Sequence, residues 1–196
     1  LAGGTNFGAA YVFVREGTNW TPDAKLVASD AEFNDNLGLG VSISDDTAVV
    51  GARNDTHAGG NQAGSASVYC LTVANATFRN AGSNPASYAA NDPVLGRTFT
   101  GTVDLSKTGH ALALLFAFDS ASAFTFPGGQ VLLCSDLGGN GELLQQAPLP
   151  GPLAVFGIAV PLDVSLCGFA LSSQALHFGT VTPFALSNAQ DLVVGL

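Results

Sequence analysis

The side chains with chemistry to offer are few: three cysteines, three histidines and two loops crowded with Asp and Asn. An oxidised pair among Cys70, Cys134 and Cys167 leaves one thiol over. Cys134 and Cys167 share the second half of the chain and each ends an apolar, strand-like run, so these two are the expected disulfide. It would close a loop of about 30 residues, worth roughly 3 kcal/mol in the chain-entropy picture. The alternative is three buried free thiols, since Cys packs readily as a small hydrophobe. One loop holds Asp30, Asn34, Asp35 and Asn36, the other Asn54, Asp55 and His57. Clustered oxygen ligands suit calcium, with Asp30, Asp35 and Asp55 as its candidates. No D-x-D-x-D-G frame is present, so turn chemistry is the first expectation for these residues and calcium the second. No other cofactor is expected.

Catalytic patterns are missing. His57, His110 and His177 have no second His or Cys at ligand spacing, whereas zinc needs about four converging groups. There is no G-x-S-x-G nucleophile motif. The glycine run GGNQAG at 59–64 precedes a strand instead of opening a helix and carries no Lys, so it is a loop and not a phosphate cradle. The expectation is a protein that is not an enzyme. Tyr11, Phe13, Trp20 and Tyr69 sit on neighbouring strand-like runs, where an aromatic strip either packs a sheet or stacks on sugar rings.

These residues need a framework, and the pattern supplies strands. Val41 and Ile43 alternate with Ser42 and Ser44, Thr47 to Val50 resume after Asp45-Asp46, and glycines mark the ends: a β-hairpin with a two-residue acidic turn. Both Asp residues suit a tight reversal because they tolerate positive φ and hydrogen-bond their own backbone. Val41, Ile43 or their alternates, Val49 among them, are expected to pack against another β layer. Strands are also expected at 9–14, 20–27 and 65–71. No segment keeps a helical apolar period for three turns. Beyond residue 74 an Asn-, Ser- and Pro-rich stretch, 75–92, reads as a linker with an irregular strand near 77–80. Short strand-like runs then recur at 97–104, 111–118, 130–134, 153–160, 167–176 and 192–196, the spacing of an antiparallel sandwich.

Composition narrows the class of protein. Only 11% of the 196 residues are charged while 47% are hydrophobic and 24 are Gly, as in β-rich extracellular proteins with neutral polar surfaces. A net charge of -9 with six scattered basic residues excludes nucleic acid and anionic membrane surfaces as partners. The longest apolar run, ALALLFAF at 111–118, is far short of the about 18 residues of a membrane span and reads as a strand buried on both faces. The lack of Met leads us to expect a cleavage or further sequence before Leu1, consistent with export to an extracellular or cell-surface location.

An internal repeat organises the first third: Gly8-Ala9-Ala10-Tyr11-Val12-Phe13 returns as Gly64-Ser65-Ala66-Ser67-Val68-Tyr69. Together with DNLG, VSIS and TAVVGAR, this order of pieces resembles the FG-GAP repeat, the blade unit of the integrin-α-like β-propeller. Leu37 stands where the family has Phe and Arg53 where it has Pro, and the acidic calcium loop of the family is reduced to Ser44-Asp45-Asp46. The segments GRTFTGTVDL, VLLCSDLGG, VPLDVSLCGFALSSQA and SNAQDLVVG resemble the C-terminal β-domain that ends many large secreted proteins of environmental bacteria. This resemblance covers roughly 78–196 and implies a mature C-terminus near Leu196.

The combined expectation is an all-β chain: an antiparallel FG-GAP-type blade over 1–74, the linker at 75–92, and a β-sandwich, jelly-roll or Ig-like, over 93–196. A propeller closes from several blades, and one repeat cannot close alone. Ala9, Ala10, Tyr11, Val12, Phe13 and Val14 are therefore expected to form an assembly strand that completes a sheet in another copy of the chain. The resulting function is a secreted structural or adhesive subunit. The alternative is a calcium-assisted or carbohydrate-recognising module, with surface glycans as partner, at the end of a larger propeller protein.

Overall fold

Alternating small, polar and β-branched residues give strands almost everywhere. The computed structural model describes residues 6–109, 111–119, 121–134, 142–148, 152–179 and 184–196. His110 and the Gly-Gly-Asn-Gly turn at 138–141 lie outside the described residues. The chain divides into two compact units, Leu1–Leu71 and Thr72–Leu196.

The first unit contains β1 (Ala10–Glu16), β2 (Asn19–Leu26), β3 (Leu37–Ser44), β4 (Thr47–Ala52) and β5 (Ser65–Cys70). β1 and β2 form an antiparallel hairpin with a register shift between Val12 and Phe13. The other three form an antiparallel sheet in the order β3-β4-β5. At the β3–β4 turn Asp45 adopts φ 47°, the left-handed conformation that suits Asp in a tight reversal. Two glycines let the layers meet. Gly38 has φ 101°, and a Cβ there would stand 2.6 Å from the Ala9 carbonyl oxygen. Gly8 has φ 83° and bridges Leu37 in parallel. The Leu-Gly pair of the repeat is thus a point of close backbone approach.

The hairpin covers only part of the three-stranded sheet. Leu26, Ala10, Val12 and Ala24 pack on Leu37, Ala48, Val50 and Ala52, with Tyr69 and Leu71 at the margin. Val41 pairs with Val50 and Ile43 with Ala48, so all four share a face. Val50 is 0% exposed, yet Val41 is 67% and Ile43 65% exposed. The expected burial of Val41 and Ile43 is therefore corrected: the covering layer reaches Leu37 but leaves the Val41–Ile43 stretch of β3 bare. Val49 points to the opposite face and is also partly exposed.

The second unit is layered. Its strands are β6 (Asn75–Arg79), β7 (Tyr88–Ala90), β8 (Thr98–Asp104), β9 (Leu112–Phe118), β10 (Ala121–Thr125), β11 (Val131–Cys134), β12 (Glu142–Pro148), β13 (Leu153–Ala159), β14 (Ala170–Phe178) and β15 (Ala185–Val193). A five-stranded sheet in the order β12-β9-β14-β15-β6 faces a three-stranded sheet, β13-β8-β7. Between them lie Tyr88, Phe99, Val103, Leu115, Phe156 and Leu192. In β8 the alternation is plain: Phe99, Gly101 and Val103 point inward, and the Thr residues between them point out. The β10–β11 hairpin covers the other face of the large sheet through Val131 and Leu133, which meet Ala189 and Phe118. The stretch 75–92 is built into this unit, β6 pairing with β15 and β7 with β8.

On that second face, polar groups hold the layers. The Arg79 guanidinium donates to both carboxylate oxygens of Asp191, at 2.6 and 2.8 Å, and to the Leu133 carbonyl at 2.8 Å. Asn84 accepts from the Val131 amide and donates to the Val131 and Ser187 carbonyls. Gln174 likewise accepts from the Leu133 amide at 2.9 Å. Asn84 and Gln174, both buried, thus find partners for their amides, as a low-dielectric interior requires.

Two predictions follow from this packing. Val50→Asp should cost roughly 3 kcal/mol or more, through an unpaired charge in a sealed site, while Val41→Asp should stay within about 0.5 kcal/mol in the monomer. Denaturant titration of the monomeric chain reads both, and equal effects would show that the cover does not stop short of Val41. The second concerns acid. The hydrogen bond from Arg79 holds the Asp191 carboxyl below its ordinary value against the opposing cost of burial, with Ser172 adding a smaller hydrogen bond. A carboxyl lowered in the folded state stabilises the fold above its unfolded pKa of about 3.9, and that stabilisation is lost as pH falls through the folded value. Asp191→Asn should thus flatten the loss of stability below about pH 4; an unchanged acid limb would remove Asp191 from that role.

Candidate functional site: an open strand edge on the blade

The Asx loops form turns. The Asp35 carboxylate, buried, accepts from the Glu32 amide, and its main-chain carbonyl accepts from the Asn54 amide at 3.2 Å, which ties the two loops together. Asp55 is buried beside them, its carbonyl accepting from the Gly64 amide, while Asp30 is exposed. Among the described residues no group of three or more His, Cys, Asp or Glu converges as metal ligands would. His57 pins its own loop: Nδ1 accepts from the Gly59 amide at 2.9 Å, and Nε2 lies 3.0 Å from the Gly64 carbonyl and donates to it in the neutral tautomer. His177 is 0% exposed, with Nε2 3.1 Å from the Ser87 hydroxyl and Nδ1 3.4 Å from that of Thr108. Ser87 is itself buried, so this Ser–His contact is sealed inside the sandwich. A cleft of about 200 Å³ in the second unit is lined by Phe99, Ile158, Val160, Phe169 and Leu192 among other apolar residues, and its lining offers no charged group to orient a substrate.

The cysteines differ from expectation. Cys70 and Cys167 are each disulfide-bonded, where the sequence led us to expect Cys134 and Cys167. Cys70 closes β5 and is buried, and Cys167 follows the short 3₁₀ turn Val164–Leu166. Cys134 closes β11, and its side chain lies outside the described residues.

What the first unit does present is an unpaired edge. Among the described residues β1 pairs with β2 alone and β5 with β4 alone. The other edge of β1 borders a groove of about 340 Å³ floored by Val41, Ile43, Ala48 and Val50. The expected assembly residues Ala10, Tyr11, Val12 and Phe13 form its wall. Ala9 precedes the strand and Val14 continues it, largely exposed. On the outward side of the hairpin Tyr11 faces Lys25, Phe13 faces Pro22 and Arg15 faces Trp20. The Arg15 guanidinium lies 5.7 Å from the Trp20 ring centre, and the Lys25 ammonium 5.8 Å from that of Tyr11. Sequence reading had the aromatics but missed their cations, which the hairpin register would have paired with them, and missed the bare row on β3, for which a count of covering strands was the available signal.

Comparison with known families matches residues 20–69 to the FG-GAP repeat, and this segment runs from β2 to the penultimate residue of β5. FG-GAP repeats occur in extracellular or surface proteins and are generally structural or binding modules. No curated protein and no solved structure matches the chain. Among the described residues no helix is long and apolar enough to cross a membrane.

Thiol labelling tests the cysteine assignment. Alkylation of the unreduced, unfolded chain should leave Cys70 and Cys167 unmodified, and labelling of Cys70 would contradict it.

Proposed function

We propose that this chain is a secreted structural or adhesive subunit that assembles with copies of itself through β-strand complementation, with Ala9 to Val14 as the strand that joins a neighbour's sheet. The observation that supports this most is the open edge of β1 beside an apolar groove, on a strand with no Lys or Pro over 10–14 to discourage pairing. An extended edge of this kind gains a ladder of main-chain hydrogen bonds when another strand is added. The FG-GAP match at 20–69 favours an extracellular setting related to the integrin-like propellers.

A second reading, a carbohydrate-recognising module of a larger propeller protein, is favoured by the outward face of the β1–β2 hairpin. Exposed Tyr11, Phe13 and Trp20 give platforms for sugar rings, and Arg15 and Lys25 give charges for acidic groups on them. Trp20→Ala should then abolish retention on acidic polysaccharide and leave assembly unchanged.

The primary reading predicts polymers from the intact chain and none after removal of residues 1–14, with the second unit's β-sheet circular dichroism retained. Sedimentation and electron microscopy read both. Polymers unchanged in the shortened chain would contradict strand complementation, and an intact chain that stays monomeric at all concentrations would contradict the subunit reading.

A further inference from the structure

Three features of the first unit fit one another. The edge of β1 is open, the row Val41 and Ile43 on β3 lies beside that edge without cover, and β5 has an open edge with Val68 half-exposed on its free face. Neighbouring strands in a sheet lie about 4.8 Å apart and packed sheets about 10 Å apart, so a strand added to β1 extends the covering layer from above β4 to above the Val41–Ile43 stretch of β3. The repeat indicates which strand that is. Val68 in β5 corresponds to Val12 in β1, and Val12 already packs in the cluster formed by Ala48 and Val50. Val41 and Ile43 continue that same apolar face, since they are the cross-strand partners of Val50 and Ala48. A second Val68, with Val49 its direct partner across β4, thus repeats one strand over a packing that the chain makes within itself.

Resting on the self-assembly reading, we propose that β5 of a second copy is the strand that occupies the groove: it pairs with the open edge of β1 and lays its Val68 on Val41 and Ile43, with Val49 of the adjoining β4 on the same face. The joined sheet runs β3-β4-β5 of one molecule into β1-β2 of the next. β5 carries no charged residue, so pairing buries no ion. The contact is heterologous, because each copy offers one β1 edge and one β5 edge on different surfaces, and such contacts propagate head to tail. The other surface of each copy stays available for the next.

This polarity is testable with two blocked chains. Val41→Lys combined with Ile43→Lys blocks the groove, and Val68→Lys blocks the strand face that enters it, with Val49→Lys as a second variant on that face. All four positions are at least partly exposed in the single chain, so each variant should retain its circular dichroism. By sedimentation, the intact chain should form polymers, each blocked chain alone should run at monomer mass, and an equimolar mixture should stop at twice that mass. Blocked chains that polymerise like the intact one overturn this interface while leaving self-assembly in place. A mixture that remains monomeric overturns the head-to-tail pairing. An intact chain that never polymerises overturns the reading on which the inference rests.

Discussion

A sheet face is buried only as far as its covering layer extends, and in the first unit a two-strand cover lies on a three-strand sheet. Everything distinctive about this unit follows from that shortfall. Val50 and Ala48 are sealed because the hairpin residues Val12 and Leu26 reach them, while Val41 and Ile43, one strand further, meet water. The hydrophobic effect, about 25 cal/mol per Å² of apolar surface, then favours any strand that extends the cover. The same strand would satisfy the main-chain groups on the edge of β1. Burial and hydrogen bonding therefore act at one place and in one direction.

The second unit meets the same physical demands by closure. Both faces of its five-stranded sheet are covered, one by β13-β8-β7 and the other by the β10–β11 hairpin. Where the second interface is polar, it is polar with partners: Arg79 ties β6 to β15 and β11, and Asn84 and Gln174 spend their amides on strand backbone. Tyr88 shows how closely the first interface is fitted, since its ring lies over Gly101, where a Cβ would stand 3.1 Å from it. The first unit, by contrast, leaves an edge and an apolar row without cover.

Local pattern was enough for the blade. The strands β1 to β5 begin and end within two residues of their expected positions, because hairpin turns and period-two alternation are encoded in neighbouring residues. The second unit was legible in part. β15 is read from Leu192 onward, yet it begins at Ala185, because Ser187, Asn188 and Gln190 hide the alternation, and the side chains of Asn188 and Gln190 find partners about a hundred residues away at Tyr88. β7 escaped notice for the same reason. The bare row on β3 depends on tertiary placement, which no spacing in the chain expresses. In the first Asx loop the Asp35 carboxylate accepts from the amide of Glu32, a bond within a turn.

Residue-resolved hydrogen exchange of the chain before and after assembly tests the central claim most directly, because it reports which backbone amides gain partners. Assembly through the two open edges predicts slowed exchange in β1 (Ala10–Glu16) and β5 (Ser65–Cys70), at the amides facing away from β2 and β4, while β4 exchanges at an unchanged rate. Assembled material in which β1 and β5 exchange as fast as in the monomer would contradict it.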